Sequence, residues 1–135
     1  MIEFVASTFK DISRIQRWTD ADIYHKGQNS PSWWVTGQGL LSFSIHDEKG
    51  PLFFVRMDSG EYIRLSVQFA PLEEVGKLRL IRAMLQTLPK LIEVAKKEKG
   101  KGLIFDSESP TLVRFMEKMG FKNVGDDSYR LAFGE

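Results

Sequence analysis

The stretch "SPTLVRFMEKMGF", Ser109 to Phe121, decides how the chain is read. Serine before proline is a helix start: the hydroxyl can accept a backbone N–H of the first turn, and Pro110 at the first helical position has no N–H to waste. Leu112, Phe115, Met116 and Met119 then recur at spacings of three, one and three, the stripe of one buried helix face. Gly120 stops the helix, and an apolar Phe121 leads into the next segment. A short amphipathic helix of this kind needs a sheet to lie on, so the neighbouring segments are read for strands.

They supply them. Upstream, "GLIFDS" is a short apolar run of the sort found in a buried parallel strand, and downstream "FKNVGDDSYRLAF" reads as two strands about a Gly-Asp-Asp-Ser turn. Before these, "LLSFSI", "PLFFVRM" and "YIRLSVQF" are strand-like runs separated by the turn segments "HDEKG" and "DSG", an antiparallel meander. In the third run Ile63, Leu65, Val67 and Phe69 share one face, while Tyr62, Arg64, Ser66 and Gln68 share a polar face expected to border a cleft. The longest helical pattern follows Pro71, with Leu78, Ile81, Leu85, Leu88 and Ile92 expected toward the core and a kink or break at Pro89. At the N-terminus "IEFVAS" reads as a strand. A helix capped by Ser7 or Thr8 comes next, with Ile12, Ile15 and Trp18 on its inner face. The order β-α-β-β-β-α-β-α-β-β predicts an α/β fold with a mixed sheet.

Composition narrows the function. The chain has 135 residues, 42% of them hydrophobic, and is expected to form a single domain over 1–135. Lys plus Arg number 19 against 18 Asp plus Glu, so the basic field that marks nucleic-acid binders is absent. There is no cysteine, which excludes disulfides, thiolate metal sites and a Cys nucleophile. The apolar runs fall far short of the roughly 18 residues of a membrane span, and "MIEFVASTFKD" lacks a signal pattern, so a cytoplasmic location and no membrane partner are expected. His25 and His46, with Asp47 and Glu48, show no metal-ligand spacing, and no metal is expected. "TGQG" precedes a strand rather than a helix, which is wrong for a dinucleotide loop. Trp33 and Trp34 leave two roles open, substrate contact or cover for the core edge.

In its order of elements, and in Phe115, Lys118, Gly120 and Phe121 within "SPTLVRFMEKMGF", the chain resembles the Gcn5-related N-acetyltransferase (GNAT) superfamily. The resemblance implies a GNAT-like single domain and acetyl transfer from acetyl-coenzyme A to a small-molecule or peptide amine. It implies cofactor contacts at Ser109, at Gly76 and Lys77 in the pyrophosphate loop, and along the pantetheine arm at Val67 and Phe69. Glu61, near the start of the fourth strand, would be the catalytic base, although "DSGE" is equally a solvated turn. Four positions, Ser109, Met116, Leu78 and Glu73, depart from the family pattern: Ser109 stands where the family commonly has a cofactor-contacting asparagine, though its hydroxyl can still hydrogen-bond. Met116 stands where many members have a proton-donating tyrosine, and methionine has no proton to give. Leu78 stands at the loop's second glycine, and Glu73 with Glu74 puts negative charge beside it. These departures keep a second reading open: a catalytically inactive protein of the same fold that serves as a binding or assembly partner, with a faint likeness to phage-particle proteins carried by "RFMEKMGF".

Overall fold

The computed structural model describes residues 2–24, 30–35 and 41–134. His25, the "TGQG" stretch and Leu40 lie outside the described residues. Strand β1 (Glu3–Ala6) leads through a capped 3-10 turn (Phe9–Asp11) into α1 (Ile12–Asp20). Thr8 begins the turn with a reciprocal capping box: Thr8 Oγ1 accepts from the Lys10 N–H, and the Asp11 carboxylate accepts from the Thr8 N–H at 2.9 Å. A second 3-10 turn, Pro31–Trp34, precedes the meander β2 (Leu41–Asp47), β3 (Gly50–Asp58) and β4 (Ile63–Phe69). Then come α2 (Leu72–Val75), the long α3 (Lys77–Lys97), β5 (Gly102–Asp106), α4 (Pro110–Lys118), β6 (Lys122–Gly125) and β7 (Ser128–Ala132). The expected order is present, with one short helix and two 3-10 turns added.

All seven strands form one sheet in the order β1-β2-β3-β4-β5-β7-β6, antiparallel except for β4 beside β5. Strand β3 is covered on both faces, which explains its unbroken apolar run from Leu52 to Val55. On one face Phe53, Val55 and Met57 join Leu80, Met84, Leu88 and Leu91 of α3 and Met116 of α4 in the main core. On the other face Phe54 meets Ile15, Trp18 and Trp34, with the Trp18 and Phe54 rings 5.2 Å apart. Among the described residues no helix is long and apolar enough to cross a membrane.

Two sequence expectations are corrected by α3. Its buried stripe is Leu80, Ala83, Met84, Thr87, Leu88, Leu91 and Ala95, whereas Leu78 and Leu85 are 63% and 47% exposed. Leucines on both sides of the helix offer two interleaved stripes. The side that packs carries Ala83, Thr87 and Ala95, whose small size lets the helix sit close to the sheet. Of the kink or break expected at Pro89, the break does not occur, and the helix runs through it to Lys97. Pro89 is exposed, as is Leu85, so the Leu85 carbonyl that loses its N–H partner lies on the solvent side where water can replace it.

The Ser109–Phe121 motif is a helix bounded at both ends. Ser109 Oγ accepts from the Leu112 N–H at the start. At the end the Phe121 N–H donates to the Met116 carbonyl at 3.1 Å and the Gly120 N–H to that of Glu117 at 3.0 Å, a Schellman termination with Gly120 at φ +107°. Phe121 and Met116 are both buried behind that turn, and the Phe121 ring lies 5.2 Å from Phe105. A side chain at Gly120 would meet backbone strain and Leu131 Cδ1 at 3.2 Å. Gly120→Ala should therefore destabilise the fold by about 1 to 3 kcal/mol in urea titration; an unchanged midpoint would show that this termination is not under constraint.

Candidate functional site

The site arises where β4 and β5 separate. Their parallel ladder holds at Ile63 with Leu103 and Arg64 with Ile104 and ends there. Strand β5 then runs along β7, from Gly102 opposite Ala132 to Asp106 opposite Ser128, while β4 continues along β3 to Phe69 opposite Phe53. The gap holds a cleft of about 430 Å³ walled by β4, α3, α4 and the end of α1. Val67, Phe69, Lys77 and Ser109 all line it, so four of the sequence-selected residues come together from two separate elements, β4 and α3, and the turn before α4.

Gly76 joins α2 to α3 at φ +78°, and a Cβ built there has no atom within 4 Å. It lies between Glu73 and Lys77, which both face the cleft. No side chain caps α3 at this end. The N–H groups of its first turn and the positive end of its dipole are therefore available to an anion. Leu78 is exposed and does not line the cleft, so the obstruction expected from it is absent. Glu74 is drawn aside into an ion pair with Arg17. Arg79 is engaged as well: its Nε and Nη2 donate to the two Asp47 carboxylate oxygens at 2.8 and 2.7 Å. That leaves Lys77 as the cation of the α3 start that lines the cleft.

Glu61 is not brought to this place. Its side chain is 67% exposed and paired with Lys101 at 3.1 Å, before the start of β4, and it lines neither the cleft nor the cavity beside it. Asp58 is likewise engaged elsewhere, accepting from Arg56 at 3.1 Å.

A smaller cavity of about 260 Å³ adjoins the cleft, sharing Val67, Met84, Ser107 and Leu112 with it. The polar face of β4 contributes Arg64 and Ser66, as the alternation suggests, while Gln68 is fully buried under α1, donating to the Asp22 carboxylate at 3.1 Å. Trp33 and Trp34 form another wall, while Trp34 is also part of the core with Trp33 packed against it, so the core-edge role is met and the pair also faces the cavity. Met116 lines this cavity from the core side. Sequence reasoning does not select Tyr24, Asp22 or Trp18, which line the cleft, nor Asp106, the last residue of β5, in the second cavity. Only Asp106 carries a signal: a carboxylate closing an apolar strand at the point where "GLIFDS" turns polar.

Neither a family model nor a curated protein sequence matches this chain. Its fold, however, is shared with solved acetyltransferases. An N-acetyltransferase from Staphylococcus aureus Mu50 aligns with TM-score 0.72 and 19% identity over 98% of each chain. The ribosomal-protein-S18-alanine N-acetyltransferase from Escherichia coli aligns with TM-score 0.69 and 15% identity over 96% of this chain and 91% of that one. A GNAT family acetyltransferase from Brucella melitensis, solved in complex with acetyl-CoA, aligns with TM-score 0.58 and 17% identity over 100% of this chain and 90% of that one. The chain has the GNAT fold.

The Asp47–Arg79 pair ties the β2–β3 turn to the start of α3, beside the cleft. The Arg79 hydrogen bonds, with those of the Lys49 and Gly50 N–H groups, lower the Asp47 pKa from 3.8 to about 2. Because the folded value lies below the ordinary one, the stabilisation is complete above about pH 4 and is lost as pH falls through about 2. Asp47→Asn should cost about 1 to 2 kcal/mol at pH 7, after allowance for partial exposure, and almost nothing at pH 2 by chemical denaturation. A pH-independent difference would contradict this role.

Proposed function

We propose that the chain is an N-acetyltransferase that takes an acetyl group from acetyl-coenzyme A and passes it to an amine. The observation that carries this is the early end of the β4–β5 ladder, which leaves an open cleft lined by Val67, Phe69, Lys77 and Ser109. The residues present suit the cofactor. Among the described residues no strand lies beside the β5-facing edge of β4 beyond Arg64, so its backbone groups at Val67 to Phe69 can pair with the amides of an extended pantetheine arm, the Phe69 carbonyl with the lone pair left by its bond from Gln68 Nε2. The uncapped start of α3 with Lys77 suits the pyrophosphate, and open space at Gly76 lets it approach. Ser109 Oγ has lone-pair capacity beyond its bond from Leu112 and a proton to donate.

Acetyl-coenzyme A brings an activated thioester, whose carbonyl carbon the amine nitrogen attacks; the C–N bond forms as the C–S bond breaks. The protein's part is to hold the two reactants in line at the junction of the cleft and the second cavity, and to exclude water. Met116 supplies no proton to the departing thiolate, so that proton comes from water or from a cleft hydroxyl such as that of Tyr24. The same Met116 favours the second reading, a catalytically inactive protein of this fold that serves as a binding or assembly partner.

Calorimetry separates these outcomes. Acetyl-coenzyme A should bind, and at 100 times its dissociation constant should raise stability by about 2.7 kcal/mol. Val67→Trp, which fills the junction, should abolish binding in a folded protein, and Lys77→Glu should weaken it roughly tenfold. Binding together with transfer to at least one amine supports the enzyme and defeats the second reading; no binding, or binding with no transfer to any amine, refutes the enzyme and supports the second reading.

A further inference from the structure

The second cavity carries information about the acceptor. Its walls include one cation and one anion, Arg64 of β4 and Asp106 of β5, and these pair with each other across the place where the strands part. The other Asp106 oxygen accepts from Ser128 Oγ. A ligand with one positive charge could take Asp106 only by leaving Arg64 without a carboxylate, and a ligand with one negative charge would strand Asp106 in the same way. A ligand bearing both charges satisfies both when the pair opens. Opening is cheap, because the side chains of Arg64 and Asp106 are 44% and 52% exposed and an ion pair so exposed holds weakly.

The opposite wall is aromatic and held in place. Trp33 and Trp34 meet edge to face at 5.0 Å and 86°. The Arg56 guanidinium lies 4.1 Å from the Trp33 ring centre and donates to the Trp33 carbonyl, while Ser42 Oγ donates to that of Trp34. Arg56 is itself 6% exposed, so the Trp33 ring is held by a buried guanidinium and the Trp34 ring, itself buried, packs against it. A pre-set indole wall favours a flat or bulky apolar group. The volume, about 260 Å³, suits a small molecule.

We propose that this cavity takes a zwitterionic α-amino acid with an aromatic or bulky apolar side chain: ammonium on Asp106, carboxylate on Arg64, side chain against Trp33 and Trp34. The proposal rests on acetyl transfer as the function of the adjoining cleft. The ammonium gives one proton to water beside the half-exposed Asp106. The amine nitrogen then forms the amide bond as the C–S bond breaks; the water or cleft hydroxyl that protonates the departing thiolate takes up the amine's second proton in exchange, and one proton is released overall.

The test needs no acetyl-coenzyme A. In a nitrogen-15 correlation spectrum of the full chain, the indole signals of Trp33 and Trp34, assigned through Trp33→Phe and Trp34→Phe, are followed during titration with L-phenylalanine, phenethylamine and 3-phenylpropionate. L-Phenylalanine should shift both signals saturably. Phenethylamine and 3-phenylpropionate, each lacking one charge, should bind about tenfold or more weakly, as should L-phenylalanine to Arg64→Gln and to Asp106→Asn. Equal binding of the three compounds overturns the proposal. So does the absence of a saturable shift up to about 10 mM. Saturable binding without any affinity for acetyl-coenzyme A would refute acetyl transfer and keep the amino-acid site; acetyl transfer to other amines with no amino-acid binding would refute this proposal alone.

Discussion

The cleft depends on β4 and β5 staying together for two register pairs and then parting. Strand β5 is drawn away because all five of its residues pair with β7. Strand β4 is held back because six of its seven residues pair with β3. The result is a strand edge inside the protein, with backbone donors and acceptors that no strand meets. Such an edge is costly unless water or a ligand uses it. The helices on either side, α3 and α4, wall the gap without filling it, and the side chain that would have blocked its mouth, Leu78, points into solvent.

The charges around this gap are arranged by local pairing. Asp47 takes Arg79 and Arg17 takes Glu74, each across long sequence separations, so the start of α3 keeps Lys77 and Glu73 at the cleft wall. An acidic residue so close to an anion site lowers its affinity, while the helix dipole and the lysine raise it. On the far side of the junction Arg64 and Asp106 neutralise each other, which gives the two ends of the passage different chemistry. One end has the uncapped start of α3. The other has an opposed pair of charges and the edge-to-face indoles of Trp33 and Trp34.

Much of the fold is legible in the sequence because local signals are strong and agree with one another. Ser109-Pro110 and Gly120 bound α4, the alternation in "YIRLSVQF" gives β4, and the double-sided burial of β3 explains why its run does not alternate. The face of α3 is misread because Leu78 and Leu85 compete with Leu80 and Leu91, and only contact with the sheet decides between them. Val67, Phe69, Lys77 and Ser109 can be chosen by position along the chain, since each lies at the end of an element that borders the gap. Glu61 shows the limit of that approach: nearness in sequence to β4 puts it at the wrong end of the strand, on Lys101. Trp33 and Trp34 can be singled out but not placed, Asp106 carries only the faint signal of a carboxylate ending an apolar strand, and Tyr24 has none, because these residues meet the site through tertiary packing of segments distant in sequence.

The central claim is that the unpaired edge of β4 is a ligand-binding edge, and amide hydrogen exchange tests it most directly. With saturating acetyl-coenzyme A, exchange should slow along β4 from Ser66 to Phe69, at the start of α3 and at the start of α4, while β1, β2 and β6 exchange as before. Unchanged exchange along β4, or protection confined to another surface, would contradict the account.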